Sequence, residues 1–217
     1  MKYIVMCGGT YPNWETPKQL LTFMGEKIIE RTLRLLRENG VDDVSISSNN
    51  PLFEQFGVPV LRHENSYTSA KYNECSGFWC ECFFPTDEPT CYIFGDVIYS
   101  PRAIKTIVEY EGDGIMFFGS APPFAPEYPK PWIEPFAFKV WDTDRLHRAV
   151  GEVKELRRRG RFAREPIAWE TWNVISRGPD GDVNWIDYNS YVHINDYTCD
   201  IDKPEEIYLL EKIGRNA

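Results

Sequence analysis

The sequence predicts an α/β fold, a single-domain three-layer α/β/α sandwich around a mostly parallel central sheet, with residues 1–217 forming one unit. Three observations carry this. Short continuous apolar runs, above all Tyr3–Cys7 and Cys91–Phe94, have the length and composition of strands buried on both faces. Segments with apolar residues at helical spacing alternate with those runs, the pattern that puts covering helices on a parallel sheet. Finally, 217 residues with 42% hydrophobic and 26% charged positions suffice for one substantial core and are too few for two full-sized domains.

Taken in order, Tyr3–Cys7 is a buried strand stopped by Gly8-Gly9, which opens a loop. Gly25 to Asn39 carries Ile28, Ile29, Thr32, Leu33 and Leu36 at helical spacing, with Gly40 placed to end the helix. Val44–Ser47 and Val58–Leu61 are the next strands. Ser69 to Phe84 is expected to be a helix despite its Tyr, Phe and Trp content. Cys91–Phe94 exits through Gly95-Asp96, and Ser100-Pro101 reads as an N-cap followed by proline at the first helical position, with Ile104, Ile107 and Val108 as the buried stripe. Ile115–Phe118 is a strand and Pro122–Pro135 a proline-rich loop long enough to suspect function. Phe136–Trp141 returns to strand character, and helices follow over 142–159 and 166–176. Gly178–Gly181 is a turn, Val183–Tyr188 and Ser190–Thr198 read as strands, and Lys203–Ile213 as a last helix. There is no internal repeat, linker or low-complexity tract.

Charge narrows the partners. Twenty-four Lys and Arg against 33 Asp and Glu give a net charge of −9, with no basic run long enough for a nucleic-acid arm, so no nucleic-acid partner is expected. No stretch of about 18 apolar residues occurs and the N-terminus turns to glycine after one short run, which predicts neither a membrane span nor a signal peptide. The six cysteines lie in apolar or aromatic surroundings, and Cys75-x4-Cys80-x-Cys82 lacks the paired spacing of structural zinc. Buried thiols and a cytoplasmic protein follow.

Ligands of open α/β sheets bind at the carboxyl ends of strands, and three groups stand at such ends. The loop Cys7-Gly8-Gly9-Thr10 through Pro17-Lys18 offers glycine amides and a lysine to a phosphate, although it fits neither G-x-G-x-x-G nor the P-loop, and an ordinary tight turn explains the glycines equally. Asp96, just past a strand, is either a solvated turn residue or a ligand for a hard cation such as Mg²⁺. Asp200 and Asp202 share a face if extended, but Asp202-Lys203-Pro204-Glu205 also has capping-box spacing, which makes Asp202 a candidate helix N-cap. His63, His147 and His193 make no catalytic case, and no Ser-His-Asp or Cys-His arrangement can be assembled from sequence position alone. The tryptophans of the second half, Trp132, Trp141, Trp169, Trp172 and Trp185, are either core or an aromatic wall for an acceptor.

Met6-Cys7-Gly8-Gly9, Pro17-Lys18-Gln19-Leu20-Leu21 and Gly25–Thr32 together resemble the opening of nucleotidyltransferases of the glycosyltransferase-A-like fold, a group that includes sugar-phosphate nucleotidyltransferases, the molybdenum-cofactor nucleotidyltransferase and phosphocholine cytidylyltransferases. Gly95-Asp96 matches that family's metal aspartate, and Asp200–Glu206 its closing motif. The resemblance implies a nucleotide-diphospho-sugar transferase-like fold and transfer of a nucleoside monophosphate from a nucleoside triphosphate to a phosphorylated small molecule, with sugar 1-phosphate the default acceptor and a phosphocholine-like one the other. It places Cys7, Gly8, Gly9, Thr10, Lys18, Asn73 and Gly95 at the nucleotide, Lys18 and Asp96 in catalysis, and Mg²⁺ on Asp96 and Asp202 with Asp200 as the alternate ligand. It leaves a homodimer open. One departure stands out: the family's loop arginine is missing after Gly9, which leaves Lys18 alone or an arginine from Arg157–Arg159, Arg161 or Arg164 to reach the triphosphate. A nucleotide-sugar-dependent glycosyltransferase and a non-catalytic nucleotide-binding relative are the competing expectations.

Overall fold

The computed structural model describes residues 1–8, 16–63, 79–120, 133–162, 165–177, 187 and 189–215. Its centre is a seven-stranded sheet built from β1 (Lys2–Met6), β4 (Val44–Ser47), β5 (Val60–Leu61), β6 (Thr90–Phe94), β8 (Ile115–Ser120), β9 (Pro135–Val140) and β10 (Tyr191–Ile194). The strand order is β10-β8-β9-β6-β1-β4-β5. β1 runs parallel to β4 and β6, β4 to β5, and β8 to β10, while β9 lies antiparallel between β6 and β8. The sheet is therefore mostly parallel, as the continuous apolar runs predicted. Ile4, Val5, Tyr92 and Ile93 are fully buried, which is why β1 and β6 read as unbroken hydrophobic segments.

Helices α1 (Ile28–Glu38) and α2 (Pro101–Glu109) pack on each other, as do α3 (Thr143–Arg158) and α4 (Ala168–Ser176). Adjacent residues of β8 show that these pairs cover opposite faces. Phe117 stacks on Trp172 of α4 at 4.8 Å, whereas Phe118 meets Tyr110 at the end of α2. Trp169 and Trp172 are thus core residues, and Trp141 packs on Tyr110; Trp132 and Trp185 lie outside the described residues. Lys139 is buried on β9 because its ammonium donates to the carbonyls of Ile107, Val108 and Tyr110 at 2.7–2.8 Å, closing the C-terminus of α2.

Several elements differ from the sequence reading for local reasons. Gly25 does not open α1 but sits with Met24 in the two-residue turn of a hairpin, β2 (Thr22–Phe23) and β3 (Glu26–Lys27). Both turn residues have positive φ, 51° and 84°, the type I′ geometry in which glycine carries no steric penalty. The first turn of α1 is held by Glu30, which accepts from the Lys27 amide at 3.2 Å. The expected helix over 69–84 is, in its described part, a 3-10 turn at Trp79–Cys82 whose Trp79 packs edge-on against Phe83 and Phe94. The predicted turn at 178–181 and strand at 183–188 fall almost wholly outside the described residues. Ser100 caps α2 as expected, its hydroxyl accepting from the Ala103 amide at 2.9 Å. Cys7, Cys80, Cys82, Cys91 and Cys199 are buried free thiols, and burial pushes Cys80 and Cys91 up to about 12. No helix among the described residues is long and apolar enough to cross a membrane.

Candidate active site

The site lies along the carboxyl edge of the parallel strands. Met6, the last residue of β1, pairs with Phe94, the last of β6, so Gly8 and Gly95-Asp96 leave the sheet side by side. The Gly95 amide donates to the Met6 carbonyl at 3.0 Å, and a Cβ at Gly95 would stand 2.6 Å from both that oxygen and Cys7 Sγ. A Cβ at Gly8 would meet Cys82 Sγ and come within 3.1 Å of the His63 ring. Both glycines are thus required by close approach of neighbouring chain.

A second ribbon brings in the closing motif. β7 (Val97–Ile98) pairs antiparallel with β11 (Cys199–Asp200), Asp200 opposite Val97, and the Ile201 amide donates to the Asp96 carbonyl at 3.3 Å. This register sets Asp200 and Asp202 beside Asp96 although about a hundred residues separate them in sequence. Asp202 is not the N-cap of α5 (Glu205–Gly214). Glu206 turns back instead and accepts from the Asp202 and Lys203 amides at 2.7 and 3.2 Å, and the Asp202 carboxylate faces Lys18 rather than the helix end.

Lys18 opens a 3-10 turn, Lys18–Leu20, and is 6% exposed. Its ammonium stands 3.8 Å from Asp96 Oδ2 and 3.9 Å from Asp202 Oδ1, so one buried cation bridges the two aspartates. Burial raises the Asp96 carboxyl above its ordinary value; Lys18 pulls it back, and Asp200 and Asp202 push it further up. Among the described residues, one carboxylate oxygen from each of Glu134, Asp200 and Asp202 lies within 4.8 Å of the others. Lys18 thus links Asp96 to Asp202, which groups in turn with Glu134 and Asp200, and hard oxygen donors in this number suit a divalent cation such as Mg²⁺.

The structure thus brings together Cys7, Gly8, Lys18, Gly95, Asp96, Asp200 and Asp202 of the expected set, while Gly9, Thr10 and Asn73 lie outside the described residues. Glu134 was missed. It falls in the segment read as a loop, and its only signal is an acidic residue directly before a strand. Of the arginines considered for the missing loop position, Arg157 is buried against Glu165 at 2.6 Å, and Arg158 and Arg159 pair with Glu155. Arg164 is outside the described residues. His147 accepts from the Thr86 amide at 3.3 Å and His193 lies edge-on to Tyr191.

The family model described as MobA-like NTP transferase domain matches residues 3–165, three quarters of the chain. The chain belongs to the MobA-like NTP transferases. No curated protein matches it by sequence. Among solved structures, this MobA-like NTP transferase is similar to 2-C-methyl-D-erythritol 4-phosphate cytidylyltransferase from Thermus thermophilus, at 15% identity and TM-score 0.59, over 99% of this chain and 98% of that one. It is similar to the inositol-1-phosphate CTP transferase from T. maritima at 14% identity and TM-score 0.54, over 100% and 97%. A protein from Bacillus anthracis described as a glucose-1-phosphate thymidylyltransferase follows at 15% identity and TM-score 0.50, over 100% and 96%. At these identities the likeness establishes the fold of the MobA-like NTP transferase, and its family model establishes a nucleotidyltransferase.

Proposed function

We propose that the protein transfers a nucleoside monophosphate from a nucleoside triphosphate to the phosphate of a small molecule, a sugar 1-phosphate before a phosphocholine-like acceptor, with Mg²⁺ and release of pyrophosphate. The observation that carries this is the buried Lys18 held between Asp96 and Asp202 at the strand ends, where Gly8 and Gly95 let neighbouring chain approach closely. All three relatives described above are named for a phosphorylated polyol or sugar acceptor, which favours that class here.

In the proposed reaction an oxygen of the acceptor phosphate attacks the α-phosphorus, the bond from that phosphorus to the bridging oxygen breaks, and the electron pair leaves on pyrophosphate. The acceptor oxygen is already ionised at neutral pH, so no general base is required. Alignment and charge neutralisation are what the chain supplies. Lys18, when it turns from the carboxylates to the phosphates, offsets the charge growing on the leaving group. In this proposal Cys7, Gly8, Gly9 and Thr10 serve the triphosphate, and Asn73 and Gly95 the nucleoside. Asp96, Asp200 and Asp202 would hold Mg²⁺, which when bound draws phosphate oxygens together and neutralises them.

The test is pyrophosphate release with Mg²⁺ and each of the four nucleoside triphosphates, against sugar phosphates, polyol phosphates, phosphocholine and phosphonates. Release requiring one triphosphate and one acceptor, abolished in Asp96→Ala with the fold retained, supports the reading. Wild-type rate in Asp96→Ala removes the role of that residue. Release of a nucleoside diphosphate from a nucleotide sugar instead replaces the proposal with glycosyl transfer.

A further inference from the structure

The one antiparallel strand of the main sheet has a functional consequence. In a parallel strand the residue at the site edge follows the strand; in β9 it precedes it. Glu134, directly ahead of Pro135, therefore lies on the same edge as Ser120 at the end of β8 and Phe94 at the end of β6.

Its backbone is fixed there by several interactions. The Glu134 amide donates to Ser120 Oγ at 2.8 Å, and the Ser120 amide donates to the Glu134 carbonyl at 2.9 Å. The β8–β9 register steps from Phe118 opposite Ala137 to Gly119 opposite Pro135, so Phe136 is the extra residue of a bulge. Gly119 makes room for the bulge: a Cβ there would be 2.6 Å from the Glu134 carbonyl and would collide with the Tyr191 hydroxyl. That hydroxyl donates to the Ser120 carbonyl at 2.7 Å, tying β10 to the same point. Glu134 is 2% exposed, yet its carboxylate belongs to the group with Asp200 and Asp202 within 4.8 Å, whereas Asp96 falls outside that group and faces Lys18. Three carboxylates this close, one of them almost fully buried, offer converging oxygen donors to a single hard cation.

We infer that Glu134 is a further ligand of the divalent cation, adding its carboxylate to those of Asp96, Asp200 and Asp202. The inference rests on the nucleotidyltransferase reading only for the expectation that a cation is used. Ser120, Gly119 and Tyr191 are the positioning residues that aim it.

The experiment is a titration with Mn²⁺ followed by electron paramagnetic resonance, with no acceptor, on the full chain without nucleotide and with each of the four nucleoside triphosphates. Glu134→Gln keeps the shape and removes the charge; Asp43→Asn, an exposed change at the opposite sheet edge, is the control. Glu134→Gln is expected to bind Mn²⁺ at least tenfold more weakly than wild type, with the control unchanged and the melting temperature without metal equal or higher. Should Glu134→Gln fail to fold, Glu134→Asp, shorter by one methylene, is expected to lose several-fold in affinity. Wild-type affinity in whichever variant folds overturns the inference, as does a wild-type protein that binds no Mn²⁺ under any of these conditions. Mn²⁺ binding that depends on Glu134 in a protein releasing no pyrophosphate leaves the ligand assignment standing and sinks the proposed activity. Pyrophosphate release with Mn²⁺ affinity indifferent to residue 134 does the reverse.

Discussion

Replacing Lys18 by methionine separates the two effects of the buried ammonium, because methionine retains an unbranched side chain of similar length and removes the charge. At 3.8 Å and an effective dielectric of about 20, one ammonium–carboxylate pair has a gross attraction of about 4 kcal/mol. The pair with Asp202, at 3.9 Å, contributes less, since that side chain is 41% exposed and water screens it. Turned toward the phosphates, the same charge offers an interaction of the same order. The share realised only in the transition state, judged from single preorganised donors elsewhere, is about 3–4 kcal/mol. Lys18→Met is therefore expected to release pyrophosphate about 100- to 1,000-fold more slowly. Cation affinity should move the other way. With the Lys18 charge removed from beside Asp96 and Asp202, Mn²⁺ should bind several-fold more tightly. A coupled pyrophosphate assay and the paramagnetic titration read the two effects on one preparation. Undiminished turnover, or weaker Mn²⁺ binding in Lys18→Met, refutes the assignment of Lys18 as a phosphate-facing counter-charge.

Two further outcomes concern the frame around the site. Gly8→Ala places a methyl on Cys82 Sγ and against His63, and urea unfolding should show a loss of about 1–3 kcal/mol, part of it regained in Gly8→Ala/Cys82→Ala; equal stabilities of the two variants would disprove the contact. Glu26 on β3 has its carboxyl held below the usual value chiefly by hydrogen bonds from Arg34, 2.7 and 2.9 Å long. A depressed folded value means the pair stabilises above the unfolded value of 4.5 and that this is lost as pH falls below it. Both side chains are partly exposed, so Glu26→Gln should cost about 0.5 kcal/mol at pH 7 and nothing near pH 2, by urea unfolding at each pH.

What the sequence made legible was local. Tyr3–Cys7 and Cys91–Phe94 announce buried strands because their neighbours cover both faces, and Ser100-Pro101 announces a helix start because a hydroxyl and a fixed φ act within one turn. The ends of those elements located Gly8, Lys18, Gly95 and Asp96. Non-local facts stayed hidden. Nothing in Phe136–Trp141 says that its strand runs antiparallel between β6 and β8, and without that direction Glu134 reads as loop. Asp202 had the spacing of an N-cap, but spacing does not reveal that the helix begins after Pro204 and that Glu206 turns back to the Asp202 and Lys203 amides. Lys139 breaks the apolar pattern of β9 for a partner, the end of α2, that only the packed sheet supplies.

The charge count at the site gives a stability consequence independent of catalysis. Among the described residues, Asp96, Glu134, Asp200 and Asp202 outnumber Lys18, and two like charges 4.8 Å apart repel by about 3 kcal/mol at an effective dielectric of about 20. The unfolded chain separates these groups and has no comparable site. A divalent cation then binds the native state alone and stabilises it by about 2.7 kcal/mol at one hundred times its dissociation constant. For a chain of 217 residues each kcal/mol is worth about 2–4 °C, so saturating Mg²⁺ should raise the melting temperature by about 5–10 °C. Sodium chloride at matched ionic strength screens the repulsion without occupying the site and should give only a fraction of that rise. Differential scanning calorimetry under the two conditions decides between them. Equal shifts would mean that the carboxylates are merely screened, and the cluster would lose its claim to be a binding site.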